Sequence, residues 1–238
     1  MARLDIPPDR RAKGGFTVGI RPILFNTEMV KAIMENRKMH TRRLVKGLPL
    51  AEPWFTVYDG KPMMCDENGE WYPAERFSTV QPGDILWVRE TWNYGYIESS
   101  DAEGSHESWF EELRKPATGY LGALSRYFYL ADKADEQIMD EIGGKWRPSI
   151  HMPKEAARLF LWVVRVRCER LQDMTPEDCA NDGGFDLEAI KTVGIAPLFG
   201  TLWDSTVKKK YLQRCGWKAN PWVWVYEFER VEKPHAWG

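Results

Sequence analysis

Within Asn36-Arg37-Lys38-Met39-His40-Thr41-Arg42-Arg43, a lysine and a threonine stand three residues apart among further cations. A threonine hydroxyl attacks an amide only when a base takes its proton, and a lysine serves as that base only if its pKa falls well below about 10.4. Arg42, Arg43 and a protonated His40 push it that way by charge repulsion, and partial burial would add to the push. The same residues also read as a solvated basic face or a phosphate cradle, with Thr41 an ordinary strand residue. Spacing by itself favours that plainer reading.

Four other residues could take part in chemistry. Asp182 ends a short helix, where the negative end of the helix dipole favours a protonated, donating carboxyl; an aspartate before Gly183-Gly184 is equally an ordinary turn residue. Glu90 alternates with Leu86, Val88 and Trp92, so its carboxylate points to an apolar side and needs a partner: a base edge, Arg43, or a structural ion pair. Trp92 could stack on a base, with core packing as its default role. His151, held between Pro148 and Pro153, could touch a substrate, although a lone histidine is more often structural.

The elements that must place these residues can be read along the chain. Residues 1–20 are rich in Pro, Gly and charge and suggest an extended arm. Pro22 to Phe25 reads as a short strand, and Asn26-Thr27 offers an N-cap to a helix from Glu28, whose Met29/Ile33 and Val30/Met34 pairs make one apolar face. That helix frays near Asn36, so Lys38 to Arg43 passes from a helix end into a strand. Residues 47–82 read as an elaborated loop or a small hairpin carrying Trp54 and Trp71. Pro82-Gly83-Asp84 is a turn before a strand over Ile85 to Trp92.

Residues 94–145 read as an insertion. Its acidic stretch (Glu98, Asp101, Glu103, Glu107, Glu111, Glu112) has no Lys or Arg among it and would repel phosphate. Tyr127 to Leu130 resembles a strand, Trp146 to Pro153 a rigid non-helical connector, and Leu159 to Arg170 a long strand. Thr175-Pro176-Glu177-Asp178 opens a short helix ending at Asp182, and a third helix is expected over Leu198 to Lys210. The closing strand from Trp222 places Trp222, Trp224, Tyr226 and Phe228 on one face and Val223 and Val225 on the other. Strands interrupted by short helices predict an α+β, barrel-like fold with closed edges, residues 21–238 forming one domain around the insertion.

Composition narrows the function classes. In 238 residues, 33 Lys plus Arg face 35 Asp plus Glu, so the chain has no global basic field and any nucleic-acid contact must be local. The start lacks the apolar run of a signal peptide and no stretch approaches the ~20 apolar residues of a membrane span, which predicts a cytoplasmic protein with no membrane partner. Cys65, Cys168, Cys179 and Cys215 are scattered without paired spacing, which indicates ordinary thiols, no metal and no cofactor. The 12 Trp suit core filling first and base stacking second.

The order of elements resembles the ASCH-domain family. The resemblance is carried by a helix followed by Arg37-Lys38-x-x-Thr41-x-Arg43, then Pro82-Gly83-Asp84-x-Leu86-x-Val88, a strand running into Leu171-Gln172-Asp173-Met174-Thr175-Pro176-Glu177-Asp178, and the final Val223-Trp224-Val225-Tyr226-Glu227-Phe228. It covers residues 22–92 and 146–231 in outline, and the segments from Trp146 and Trp222 look like ASCH proteins of phages and prophages. It implies a PUA-like β-barrel whose cleft suits a nucleobase or nucleotide. One ASCH branch is similar to N4-acetylcytidine amidohydrolases, which implies Lys38 as proton acceptor, Thr41 as nucleophile and Asp182, where the family has Glu, as proton donor.

Three functions follow as expectations. The first is a module binding RNA or a modified nucleobase through the cleft, with His40, Arg42, Arg43, Glu90, Trp92 and His151 as substrate contacts. The second is an amidohydrolase on N4-acylated cytosine nucleosides, which the near-neutral charge suits better than a long polyanion. The third is a metal-independent ribonuclease using the same basic cluster.

Overall fold

The computed structural model describes residues 18–46, 54–100, 107–112 and 125–234. Most of the expected N-terminal arm and the first part of the expected loop over 47–82 lie outside the described residues.

The chain divides into two compact units. The first comprises Met1–Arg21, Glu35–Leu86 and Phe160–Gly238, the second Pro22–Met34 and Trp87–Leu159. The strands are β1 (Ile20–Leu24), β2 (His40–Leu44), β3 (Phe55–Tyr58), β4 (Lys61–Cys65), β5 (Trp71–Pro73), β6 (Ile85–Arg89), β7 (Trp92–Ser100), β8 (Glu107–Glu112), β9 (Arg126–Tyr129), β10 (Phe160–Arg170) and β11 (Trp222–Val231). The helices are α1 (Thr27–Met34), α2 (Lys133–Glu141), α3 (Pro176–Gly183), α4 (Leu187–Val193), α5 (Thr201–Thr206) and α6 (Leu212–Cys215).

The architecture is mixed α/β. A five-stranded sheet runs β1-β6-β10-β11-β2, and two three-stranded sheets run β3-β4-β5 and β8-β7-β9. Among the described residues none closes into a barrel: each order is open, and β2 lies at an edge of the largest sheet. The expected closure is therefore not found there. No helix among the described residues is long and apolar enough to cross a membrane.

Local chemistry explains the elements of the first unit. Asn36 takes a left-handed φ of 57°, which an asparagine tolerates better than most residues and which turns the chain from α1 toward β2. Thr175 and Asp178 form a reciprocal capping box at α3, with Pro176 at its first position, and Gly184 ends it in the left-handed conformation at φ 68°. Residues 55–73 form a three-stranded meander, one strand more than the small hairpin that was the alternative to a loop there. The helix expected over 198–210 is shorter: a π-helical turn over Ala196–Gly200 leads into α5, and Val207 is extended. Lys208 to Lys210 follow that break.

Strand β10 pairs antiparallel with β11, and β11 with β2. A bulge between Val163 and Arg165 inserts Val164 as an extra residue and turns it out to solvent, so it does not share a face with Val166 and Cys168 as simple alternation predicts. Beyond the bulge, Arg165, Glu227 and His40 form one cross-strand row, Arg167, Val225 and Arg42 the next, and Glu169, Val223 and Leu44 a third, all on one face. Thr41, Tyr226 and Val166 share the other face with Arg43, Trp224 and Cys168. Val223 and Val225 join Leu171, Met174, Cys179, Ile190, Phe199 and Trp203 in a core cluster.

In the second unit, Asn26 Oδ1 accepts the Met29 N–H at 2.9 Å and caps α1. Strands β7 and β9 pair from Trp92↔Tyr129 to Gly95↔Arg126. The segment expected as an insertion over 94–145 thus contributes β8, β9, α2 and most of β7 to this unit. The connector from Trp146 contains one 3-10 turn, Ser149–His151.

Candidate functional site

Lys38 precedes β2 and its side chain is 0 % exposed. Its Nζ donates to the backbone carbonyl of Asp182 and to Asp182 Oδ1 at 2.6 Å. The backbone clamps the same junction, because Met39 N–H donates to the Asn181 carbonyl at 2.8 Å and Phe228 N–H to the Met39 carbonyl at 2.9 Å. Burial is the largest influence on the Lys38 amine and pushes its pKa down. The Asp182 charge and hydrogen bond pull it back, Arg43 and Arg42 add to the downward push, and the outcome is below the usual lysine value.

Asp182 is shared. Its Oδ2 accepts from Arg42 Nη1 at 3.1 Å, so both carboxylate oxygens face cations. This is the bonding of an anchor in an ion network.

Arg42 is equally committed. Its Nη2 lies 2.6 Å from Glu169 Oε1 and 3.4 Å from Asp178 Oδ2, and its side chain has no exposure. Burial opposes its charge, but Asp182, Glu169 and Asp178 outweigh that and raise its pKa. Arg167 continues the network through Asp178 Oδ1 at 2.9 Å and Glu227 Oε1 at 2.8 Å, with Glu169 as its third partner. His40 Nδ1 sits 3.2 Å from Asp178 Oδ1 but out of line for a hydrogen bond. Burial pushes the Asp178 carboxyl up, and His40, Arg42, the Thr175 N–H and Arg167 together hold it well below the usual carboxylate range.

Thr41 is buried on the opposite face of β2 from Arg42, next to its register partner Tyr226. No side-chain hydrogen bond joins Thr41 to Lys38 or Asp182 among the described residues. Tyr226 and Ser78 place their hydroxyl oxygens 3.3 Å apart, and burial of Tyr226 raises its phenol pKa against the opposing effects of Ser78, Arg43 and Arg21. Arg43 lies on the Thr41 face and its charge reaches Asp182, Tyr226 and Lys38. Burial outweighs the pull of Asp182 and Tyr226 and lowers its pKa. The Lys38–Asp182 pair is thus electrostatically coupled to both faces of β2.

Glu90, Trp92 and His151 belong to the second unit. Glu90 is buried in a two-point pair with Arg158, both contacts at 3.0 Å, rather than with Arg43. Burial raises its pKa beyond what Arg158 can offset. Trp92 is buried with Arg147 5.1 Å over its ring, and its indole N–H has no acceptor among the described residues. His151 is exposed.

The structure thus brings Lys38, His40, Arg42, Arg43 and Asp182 into one electrostatic assembly beside Thr41. Sequence reasoning missed Arg167, Glu169, Asp178 and Glu227 as members. Their signal was the charged alternation Arg165, Arg167, Glu169 on a half-buried strand, which demands buried partners. All four cysteines are free thiols; burial pushes Cys168 up to about 12 and Cys179 up to about 11, so neither is a ready nucleophile.

No protein-family model, no curated protein and no solved structure matches the chain.

Proposed function

We propose that the first unit is an ASCH-type, PUA-like domain that takes a modified nucleoside and hydrolyses the acyl group of an N4-acylated cytosine. The observation that carries this reading is the buried Lys38 amine, lowered in pKa and held against Asp182, three residues before a buried threonine. A lysine whose pKa is lowered gives up its proton more readily than a solvated one, as a general base requires. A solvated phosphate-binding lysine needs neither burial nor a committed carboxylate.

In this reading the neutral Lys38 amine takes the Thr41 hydroxyl proton as Oγ1 attacks the acyl carbonyl carbon. The carbon–N4 bond then breaks as the Lys38 ammonium returns that proton to N4. Water, deprotonated by the same amine, attacks the acyl–Thr41 ester, and the Lys38 ammonium returns that proton to Thr41 Oγ1 as the ester bond breaks and the carboxylic acid leaves. Asp182 and Arg42 act as positioning residues: Asp182 fixes Lys38, and Arg42 fixes Asp182. Arg43 and His40 flank the nucleophile on β2 and are the substrate contacts of this reading.

The test is release of cytidine from N4-acetylcytidine by the purified chain. Thr41→Ala should reduce turnover to background, and Lys38→Met should lower kcat by roughly 10²–10⁴. Full activity in Thr41→Ala rejects the nucleophile. Tight nucleoside binding without any turnover in the unaltered chain leaves the binding module as the correct reading, one favoured by the lack of a direct Thr41–Lys38 bond.

A further inference from the structure

Among the described residues, the cations of the sheet interior are consumed by carboxylates, but one surface segment has the opposite character. From Val207 to Pro221 the sequence carries Lys208, Lys209, Lys210, Arg214 and Lys218 and not one Asp or Glu. All five side chains are exposed and none forms an ion pair among the described residues. In a chain whose acids outnumber its bases, this is a concentrated local positive field.

The segment is also stiffly mounted. Trp203 Nε1 donates to the Cys215 carbonyl at 2.8 Å, Asp204 Oδ1 accepts the Trp217 N–H at 2.7 Å, and Gln172 Nε2 donates to the Trp217 carbonyl at 2.7 Å. Trp217 packs edge-on to Phe199, a residue of the core cluster. Asp204, the nearest acid before the segment, is thereby engaged in holding its backbone. A fixed backbone carrying unpaired cations loses less freedom on binding an extended anion than a loose tail does.

We propose that this segment is a docking surface for the phosphodiester backbone of a single-stranded nucleic acid. Tyr211, next to Lys210, is 45 % exposed; the Lys210 Nζ lies 4.9 Å from its ring centroid, so a ring able to stack on a base and a cation able to meet its phosphate stand side by side. A membrane surface fits less well, because α6 is a single turn of four residues, too short to lay an extended apolar face into a bilayer. The surface lies outside the Lys38 assembly, so the proposal stands independently of the hydrolytic reading.

Fluorescence anisotropy of the full chain with labelled oligo-U and oligo-dT of about 16 nucleotides tests it, over about 50 to 200 mM salt. The unaltered chain should bind at low salt, and the two oligomers show whether RNA or DNA is the source of the backbone. The triple variant Lys208→Gln, Lys209→Gln, Lys210→Gln should bind about tenfold or more weakly, with a salt slope shallower by about 2, three cations at about 0.7 each. Arg214→Gln with Lys218→Gln should make the slope shallower by about 1.4, two cations at about 0.7 each. Thr41→Ala should bind like the unaltered chain, which separates this surface from the catalytic proposal. Absence of oligonucleotide binding, an unchanged slope in the triple variant, or binding only to phosphatidylserine vesicles overturns the proposal.

Discussion

Arg42 on β2 and Arg167 on β10 are both register partners of Val225, so two guanidinium groups stand in one row with a buried valine between them. Like charges in one row repel unless anions intervene, and here Glu169 and Asp178 bond to both. The Lys38–Asp182 pair is the buried end of that chain of charges. The site's electrostatics are therefore a property of three strands and a helix together, and each part can be tested separately.

Removing the shared anion should be costly. Asp182→Ala leaves Lys38 and Arg42 buried without their common partner and should lower stability by about 3–5 kcal/mol in urea unfolding. Lys38→Met combined with Asp182→Asn should lose less than the two single changes summed. A double-mutant cycle that comes out additive would show that the two residues do not act as a pair.

The alkaline limb of stability reports on Lys38. The folded chain binds this proton less tightly than the unfolded chain, whose lysine value is near 10.4, so unfolding takes up a proton between the two values. Stability should rise with pH across that interval, and Lys38→Met should flatten the rise. Nucleoside turnover, if Lys38 is the base, should increase with pH through the same folded-state titration.

At the acid end Asp178 has the same sign, stability again rising with pH, but in a different interval. Its folded value is depressed, so its contribution is complete above the unfolded value near 3.9 and is lost as pH falls toward the folded one. Asp178→Asn should lower stability at neutral pH and make acid unfolding less steep. Thr175→Ala, which removes only the cap hydroxyl, should cost about 1 kcal/mol with little change in pH dependence.

Gly184 links backbone conformation to the site. Its φ of 68° suits glycine, and its carbonyl accepts from Arg37 Nη1 at 2.7 Å, two residues beyond Asp182. Gly184→Ala should cost about 1–2 kcal/mol, with Gly184→Asn costing less. Any further loss of turnover in Gly184→Ala beyond its loss of folded protein would measure displacement of Asp182.

Local signals in the sequence located much of this. The α1 cap at Asn26, the capping box at Thr175, the stop at Gly184 and the two-faced closing strand were legible because each depends on residues within a few positions. The alternation that separates Thr41 from Arg42 was also implicit in the strand reading. The partners of Arg42 and Glu90 were not legible, since Glu169 and Arg158 reach them only through strand pairing and tertiary packing across long stretches of chain. The outward turn of Val164 was not legible either, because a bulge breaks the period-two rule without a glycine or proline to announce it.

That bulge has a consequence for how the strand finds its place. The single extra residue sets the phase of everything after it, so Arg165, Arg167 and Glu169 arrive on the face of Arg42 instead of the face of Tyr226. If β10 paired with β11 one residue out of step, both arginines and the glutamate would enter the aromatic side, and Arg42 would face Asp178 and Asp182 without Glu169. The charge network thus proofreads strand alignment: the frame created by Val164 is the one that leaves Arg42 and Arg167 with their shared anions.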